Sequence, residues 1–194
     1  MKEGPHAPVC LWIDGSARIV AVNAAWDRFA EENEGESATR DHVVGTDLFG
    51  WIRGDETRMM LIALLQFVRL TGESVTREYR CDTAELRRFM RMVVRREEAG
   101  LIRFDHELLR TERMSVPVRF RGRQDSDHAA VRRCSFCNRV EIKNAWWNGD
   151  EAARDGRLRS SGSVVTVRYV VCPLCAHEHG VRSPIVSRQR RTRR

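Results

Sequence analysis

Residues 9–30 read VCLWIDGSARIVAVNAAWDRFA, and this stretch decides how the first half of the chain folds. From residue 9 to residue 13, apolar side chains recur at every second position, as they do on the inward face of a half-buried strand. Asp14-Gly15 is a turn signal, and an apolar run follows it at residues 18–22. The stretch therefore predicts two short antiparallel strands joined by a tight turn.

A short helix is expected directly after this hairpin. Asn23 can cap its first turn, and Trp26, Phe29 and Ala30 share one face at helical spacing. After a polar loop, residues 47–52 are expected to form a single helical turn. Helices thus follow the second strand before a third strand begins.

A longer helix is expected next. Asp55 can cap a helix that runs from residue 56 to about residue 70, where Gly72 ends it. Residues 59–65 are apolar on almost every side. The sequence therefore predicts that this helix is well buried.

Three more strands are expected in the first half, at residues 73–82, 86–96 and 100–104. Apolar and polar side chains alternate in the first two, which is the pattern of a sheet with one buried face. Three sulfur-containing side chains fall on the apolar face and could line a pocket: Cys81, Met90 and Met92.

The order of these elements over residues 8–108 resembles the PAS domain, in which helices are inserted after the second strand of a five-stranded antiparallel sheet. The matching residues are Asp14-Gly15, 19–23, Ala25, Trp26, Phe29, Asn33, Val44-Gly45 and 79–82. Residues 79–82 and 87–90, with the CSxC motif downstream, are similar to a bacterial subgroup of PAS proteins. The resemblance implies an α+β fold and a domain that senses a small ligand or mediates dimerisation.

The resemblance does not name a ligand. The Asn-Cys-Arg motif of flavin-binding photosensors does not occur in the sequence, and residues 55–70 contain no histidine for a haem iron. Cys81, Met90 and Met92 are soft enough to bind haem iron, but such residues also fill cores. The histidines at positions 6, 42, 106 and 128 are expected to be solvated.

Four of the six cysteines form two CxxC pairs, Cys134-Ser-Phe-Cys137 and Cys172-Pro-Leu-Cys175. Two CxxC turns can supply the four thiolates of a tetrahedral zinc site, and four protein ligands leave no open position for catalysis. The metal ligands expected for one structural zinc ion are Cys134, Cys137, Cys172 and Cys175. Two alternatives stay open, in which His177 or His179 replaces one thiolate or the pairs are unrelated thiols.

The second half is expected to be a small β zinc-ribbon module at residues 131–182, joined to the first domain by a linker at 109–130. Strands are expected at residues 139–143 and 164–171, with a loop at 148–163 between them. A thioredoxin-like site is disfavoured because neither CxxC pair is expected between a strand and a helix in a parallel β-α-β pattern. A switch based on zinc release remains an alternative.

The charge of the chain is concentrated in its last third. Residues 1–130 hold 20 basic and 22 acidic side chains, whereas residues 131–194 hold 14 basic and 5 acidic ones, in a chain of net charge +7. The basic tail at 183–194 is expected to be disordered. Phosphate binding by this third, with stacking on Phe136, Trp146, Trp147 or Tyr169, is therefore one hypothesis.

The PAS resemblance, together with these features, implies a non-enzymatic bacterial signalling protein. No nucleophile elbow, phosphate loop or kinase motif occurs, and no apolar run approaches the length of a membrane span. Residues 1–10 lack an apolar signal segment, so a cytoplasmic location is expected. The expected partner is another protein or a second copy of the chain, bound through the PAS-like domain. The alternatives are a nucleic-acid-binding regulator and a haem or thiol redox sensor.

Overall fold

The first sheet contains five antiparallel strands in the spatial order β2-β1-β5-β4-β3. The computed structural model describes residues 7–33, 35–123, 130–158 and 164–180. The strands of this sheet are β1 (Val9–Ile13), β2 (Ile19–Val22), β3 (Val75–Arg80), β4 (Leu86–Arg96) and β5 (Ile102–Arg113). The hairpin and the three strands expected after the helices are therefore confirmed.

Four helices separate β2 from β3: α1 (Ala24–Glu31), α2 (Arg40–Val43), α3 (Leu48–Trp51) and α4 (Asp55–Thr71). The side chain of Asn23 accepts a hydrogen bond from the backbone N–H of Trp26, as the sequence predicts for the cap of α1. At the other end of this region, Gly72 adopts φ +74° and ends α4. Five antiparallel strands with helices inserted after the second make this part of the chain α+β, in the order of elements that the sequence predicts.

The burial of α4 differs from the prediction. Leu61, Leu64, Leu65 and Val68 face the first core, where they pack with residues of β1, β2, β4 and β5. The opposite side of the helix is exposed, and it carries Met59, Ile62, Phe67 and Leu70. A helix that packs on a sheet buries the side chains of one side only. Because α4 has apolar residues on almost every side, the side that faces away from the sheet is also apolar.

β5 is longer than predicted and extends into the segment expected to be a linker. It runs to Arg113 because β4 offers a partner along almost its whole length, with Leu86 opposite Arg113. Arg119–Gly122 then forms β6, which belongs to the second sheet. The expected linker at 109–130 therefore contains the end of one sheet and the beginning of the other.

The second sheet also has five strands, in the order β6-β10-β7-β8-β9. Its other strands are β7 (Val131–Cys134), β8 (Val140–Ile142), β9 (Ala145–Trp147) and β10 (Val164–Val170), and its helices are α5 (Gly149–Arg154) and α6 (Pro173–Glu178). β10 pairs in parallel with β6 and β7, so the sheet is mixed. The prediction of a loop at 148–163 is wrong at residues 149–154, which form α5. This helix packs on one face of the sheet through the buried Ala152.

The two sheets contact each other at the free edge of β3. The N–H of Arg80 donates to the carbonyl oxygen of Phe136 at 2.6 Å, and the Asn138 side chain donates to the carbonyl oxygen of Arg80 at 3.0 Å. The first turn of α4 adds a bond from the backbone N–H of Val171 to the Glu56 carboxylate, at 2.6 Å. The second sheet is therefore hydrogen-bonded to both layers of the first.

Among the described residues, the longest helix is α4, and no helix is long and apolar enough to cross a membrane.

Candidate metal centre and ligand cavity

Local backbone geometry aims the two CxxC pairs at each other. Cys134 is the last residue of β7, and the chain turns back after Cys137 because Asn138 takes a left-handed conformation with φ +56°. Cys172 follows β10 and caps α6, whose first residue is Pro173. Strands β7 and β10 are parallel neighbours, so their carboxyl ends place both pairs at one end of the sheet.

The four sulfurs lie within 4.8 Å of one another, and none is in a disulfide. The Sγ atoms of Cys137 and Cys172 are 3.7 Å apart. A tetrahedron with zinc–sulfur bonds of about 2.3 Å has edges of about 3.8 Å, so this spacing fits such a site. Three of the four cysteines are buried. The cluster could hold a metal ion with all four positions filled by protein.

Backbone N–H groups point at the cluster and favour thiolates. Cys134 Sγ accepts from the N–H of Phe136 at 3.5 Å and from that of Cys172 at 3.4 Å. Cys172 Sγ accepts from the N–H of Cys175 at 3.4 Å. Hydrogen bonds to a charged sulfur stabilise it relative to the thiol.

The sulfurs also influence one another's ionisation. Hydrogen bonds from the thiols of Cys137, Cys172 and Cys175 lower the pKa of Cys134. The pKa of Cys175 is raised, chiefly through its hydrogen bond with Cys134, because a second thiolate next to the first is unfavourable. A bound cation would remove this repulsion, which is the electrostatic role of a metal in a four-cysteine site.

The second CxxC pair lies where α6 follows β10, with Cys172 at the cap of the helix and Cys175 within it. The other pair lies opposite it, so the four sulfurs form one cluster rather than an isolated dithiol. Of the two histidines considered as ligands, His177 is exposed, whereas His179 lies against the Phe136 ring with centroids 4.5 Å apart. Cys175, Glu178 and His179 also bring their ligand atoms within 4.8 Å of one another, so His179 is the histidine placed to exchange with a thiolate.

Cys10 is remote from the cluster and is held in a polar contact of its own. Its thiol donates to Asp105 Oδ1 at 2.9 Å, and Arg103 Nη2 is 3.4 Å from its sulfur. Burial, with the hydrogen bond to Asp105, raises the pKa of Cys10 to about 11. The thiol therefore stays protonated and poorly nucleophilic.

A separate cavity of about 270 Å³ lies between α1 and the first sheet. Its lining is apolar except for a few polar groups, and it consists of Val9, Trp26, Phe29, Ala30, Asn33, Ala38, Tyr79, Met90 and His106. Ligand sites typically combine an apolar wall with a small number of placed polar groups. This cavity is slightly smaller than the usual range for such sites, which is about 300 to 1,000 Å³.

The main polar feature of the cavity is a hydrogen bond between Tyr79 on β3 and His106 on β5. The Tyr79 hydroxyl is 2.9 Å from His106 Nδ1, and the two rings meet edge to face. Burial lowers the pKa of His106 to about 4 and raises that of Tyr79, so both groups are neutral at pH 7. The expectation that His106 is solvated is wrong. His106 lies two positions beyond Phe104 on β5, so the period-two pattern of Ile102 and Phe104 could have predicted that it faces inward; its side chain is partly buried and lines the cavity.

The three side chains predicted to face a pocket lie in different places. Met90 lines the cavity, whereas Met92 packs against the first core. Cys81 is outside the lining, and its backbone N–H donates to the carbonyl oxygen of Arg88 at 2.9 Å. Burial raises the pKa of Cys81. These residues therefore do not form a common ligand set for an iron.

Tyr79 connects the cavity to the cysteine cluster. Its side chain lines the cavity and also packs, with Met60 of α4, against the buried group around the four cysteines. Phe136, the residue before Cys137, belongs to that group and accepts the hydrogen bond from the Arg80 N–H. The wall of the cavity and the support of the cluster are therefore adjacent residues of one strand.

No protein-family model matches the chain, and no curated protein matches it. Among solved structures, the sensory box sensor histidine kinase from Vibrio cholerae is similar to this chain, with a TM-score of 0.39 and 9% sequence identity. The matched region covers 54% of this chain and 83% of that one.

Proposed function

We propose that this chain is a non-enzymatic sensory protein. In this proposal a small ligand binds in the cavity beneath α1. The second sheet with its four clustered cysteines, which we call the cysteine module, holds one structural zinc ion and passes the signal on. The observation that carries the proposal is the double role of Tyr79, which lines the cavity and packs against the cysteine cluster. A ligand that moves this ring changes the packing of the module directly.

The shape and chemistry of the cavity limit the ligand. Its volume of about 270 Å³ suits a molecule of one or two rings or a short aliphatic chain. Asn33 and the Tyr79–His106 pair can each accept or donate one hydrogen bond. The proposed ligand class is therefore an uncharged, largely apolar molecule with one or two polar atoms.

Indole is a suitable probe because it is flat, apolar and carries one N–H donor. We expect calorimetry on the full chain to detect indole binding, and we expect Ala30→Leu to abolish binding by filling the cavity. We also expect hydrogen exchange at residues 134–137 to change when indole is bound. Binding without any change in exchange at the cysteine module would contradict the coupling. Equal binding to Ala30→Leu would contradict the cavity itself.

The zinc proposal rests on the cluster geometry, since Cys₄ sites with this spacing are closed and structural. A second unit with a core of only a few buried residues gains much of its folding free energy from such a metal, about 10 kcal/mol or more. Elemental analysis of the purified protein should find one zinc per chain. A strong chelator should then unfold the second sheet, while the far-ultraviolet circular dichroism signal of the first sheet should remain.

We propose that the partner of the first domain is a second copy, bound through the outer face of α4. Met59 and Leu70 are 70% and 86% exposed, and with Ile62 and Phe67 they form an apolar patch on the outer side of the helix. A two-fold antiparallel pairing would set Met59 against Leu70 and Ile62 against Phe67, so the face is complementary to itself.

A further inference from the structure

The second sheet has one covered face and one exposed face. Phe120, Val165, Val167 and Tyr169 point to the covered face, where they pack with α5. Residues in register on neighbouring strands share a face, as do residues two apart on one strand. Arg121 lies opposite Thr166, and Arg168 lies opposite Arg132, so all four belong to the exposed face.

This exposed face is strongly basic. Arg119, Arg121 and Arg168 are exposed, and Arg132 is partly exposed. We call these four residues the arginine face. Across β8, Glu141 pairs with Arg132 at 2.6 Å, and it is the one acidic residue at a register position of this face within the described strands. Among the described strand residues of this face, four arginines therefore stand against one glutamate.

An aromatic ring borders the arginine face. Trp146 lies opposite Glu141 on β9, and the Arg132 guanidinium is 5.8 Å from the centre of its ring. Trp146 also packs against the cysteine cluster, which holds the ring in place. Recognition of single-stranded nucleic acid uses two components: arginines that bind the phosphates and an aromatic ring on which a base can stack.

We propose that the arginine face binds single-stranded nucleic acid, with the sugar-phosphate backbone along β6, β10 and β7 and a base near Trp146. A duplex is a poorer fit. Proteins read a duplex by placing a helix or a two-stranded ribbon in its major groove, whereas this face is the flat side of a five-stranded sheet. An acidic protein segment would satisfy the charge and the guanidinium forks, but it would bring no base to stack on Trp146. This surface is distinct from the cavity, so the proposal stands or falls separately from that of a sensory function.

The test is fluorescence anisotropy with the full chain and a labelled 20-nucleotide oligo(dT), measured from 50 to 300 mM KCl. Three or four phosphate contacts should give a slope of log K against log salt of about −2 to −3. The double variant R121E/R168E should bind at least tenfold more weakly and with a flatter slope. The matched control is R28E/R113E, which makes the same charge change at two exposed arginines of the first domain and should bind as the wild type does.

Three outcomes would overturn the proposal. The first is no binding at 50 mM KCl. The second is equal binding by the wild type and R121E/R168E, which would place the contact on other basic residues of the chain. The third is tighter binding to a duplex of the same length or to a polyglutamate peptide, which would assign the face to a different partner. Zinc content and melting temperature, measured on every variant, establish that each protein is folded.

Discussion

The guanidinium of Arg87 on β4 donates to both carboxylate oxygens of Asp150 on α5, at 2.6 and 2.8 Å. Asp150 is 1% exposed, and it also accepts from the backbone N–H of Ser115 at 2.8 Å. This pair joins the first sheet to the helix that covers the second. Removal of Arg87 would leave the buried Asp150 carboxylate without its counter-charge.

We expect Arg87→Ala to destabilise the chain by about 3 to 5 kcal/mol in urea unfolding, because Asp150 would remain buried and ionised. Arg154→Ala is the control, since Arg154 pairs with Asp155 at the surface and such pairs contribute about 0.5 kcal/mol. The hydrogen bond and charge of Arg87 lower the pKa of Asp150 against its burial, so this contribution is present above the unfolded-state pKa. It is lost as the pH falls through the folded-state value. Equal effects of the two substitutions would contradict a buried pair.

Substitution of the clustered cysteines should act through the metal. Cys134→Ser removes a buried ligand, and we expect zinc to fall well below one per chain and the second sheet to lose protection from hydrogen exchange. Cys10→Ser is the matched control because it also changes a buried cysteine, one that lies outside the cluster. A Cys134→Ser protein that keeps full zinc, or a Cys10→Ser protein that loses it, would show that the ligands have been misassigned.

His106 should make stability depend on pH. In the unfolded chain a histidine takes up a proton near pH 6.5, whereas burial lowers the pKa of His106 to about 4 in the folded protein. Between these values the unfolded state binds more protons, so the stabilising effect is complete above about pH 6.5 and is lost as the pH falls toward 4.

The loss amounts to at most about 3 kcal/mol, and it should be much smaller in His106→Gln. The measurement is the free energy of unfolding at pH 7 and pH 4.5 for both proteins. His42→Gln, which changes an exposed histidine of α2, should retain the wild-type difference between these pH values. If the wild type and His106→Gln respond alike, His106 is not held neutral by burial.

The outer face of α4 should control self-association. Phe67→Glu and Leu70→Glu each place a charge in the proposed interface while leaving the buried face of the helix unchanged. Sedimentation equilibrium should show a dimer for the wild type and a monomer for either variant, with similar melting temperatures for the dissociated chains. Leu108→Glu, at another exposed apolar position, should stay dimeric. A monomeric wild type at 100 μM would rule out this interface.

Local patterns predicted much of the fold. The hairpin, the cap at Asn23 and the end of α4 at Gly72 each depend on residues close in sequence, and the structure has all three. The proximity of the four sulfurs also follows from a local rule, since each CxxC turn brings two thiols together.

The features that the sequence did not predict depend on distant contacts. β6 forms because residues 119–122 pair in parallel with residues 164–167, and no local pattern signals a partner so far along the chain. The apolar outer face of α4 has the composition of a core, so composition alone could not separate its two sides. The link between the cavity and the cluster through Tyr79 likewise requires both sheets to be in place.

The hydrogen bonds between Arg80 and the first CxxC turn have a consequence for aggregation. β3 is the outermost strand of its sheet, and an outermost strand with unpaired backbone groups can pair with another chain. Phe136 and Asn138 occupy the backbone groups of Arg80 at the end of this strand, and their position depends on the turn that holds Cys134 and Cys137. The cysteine module thus shields the end of this edge, and its unfolding would uncover a site for intermolecular β-pairing.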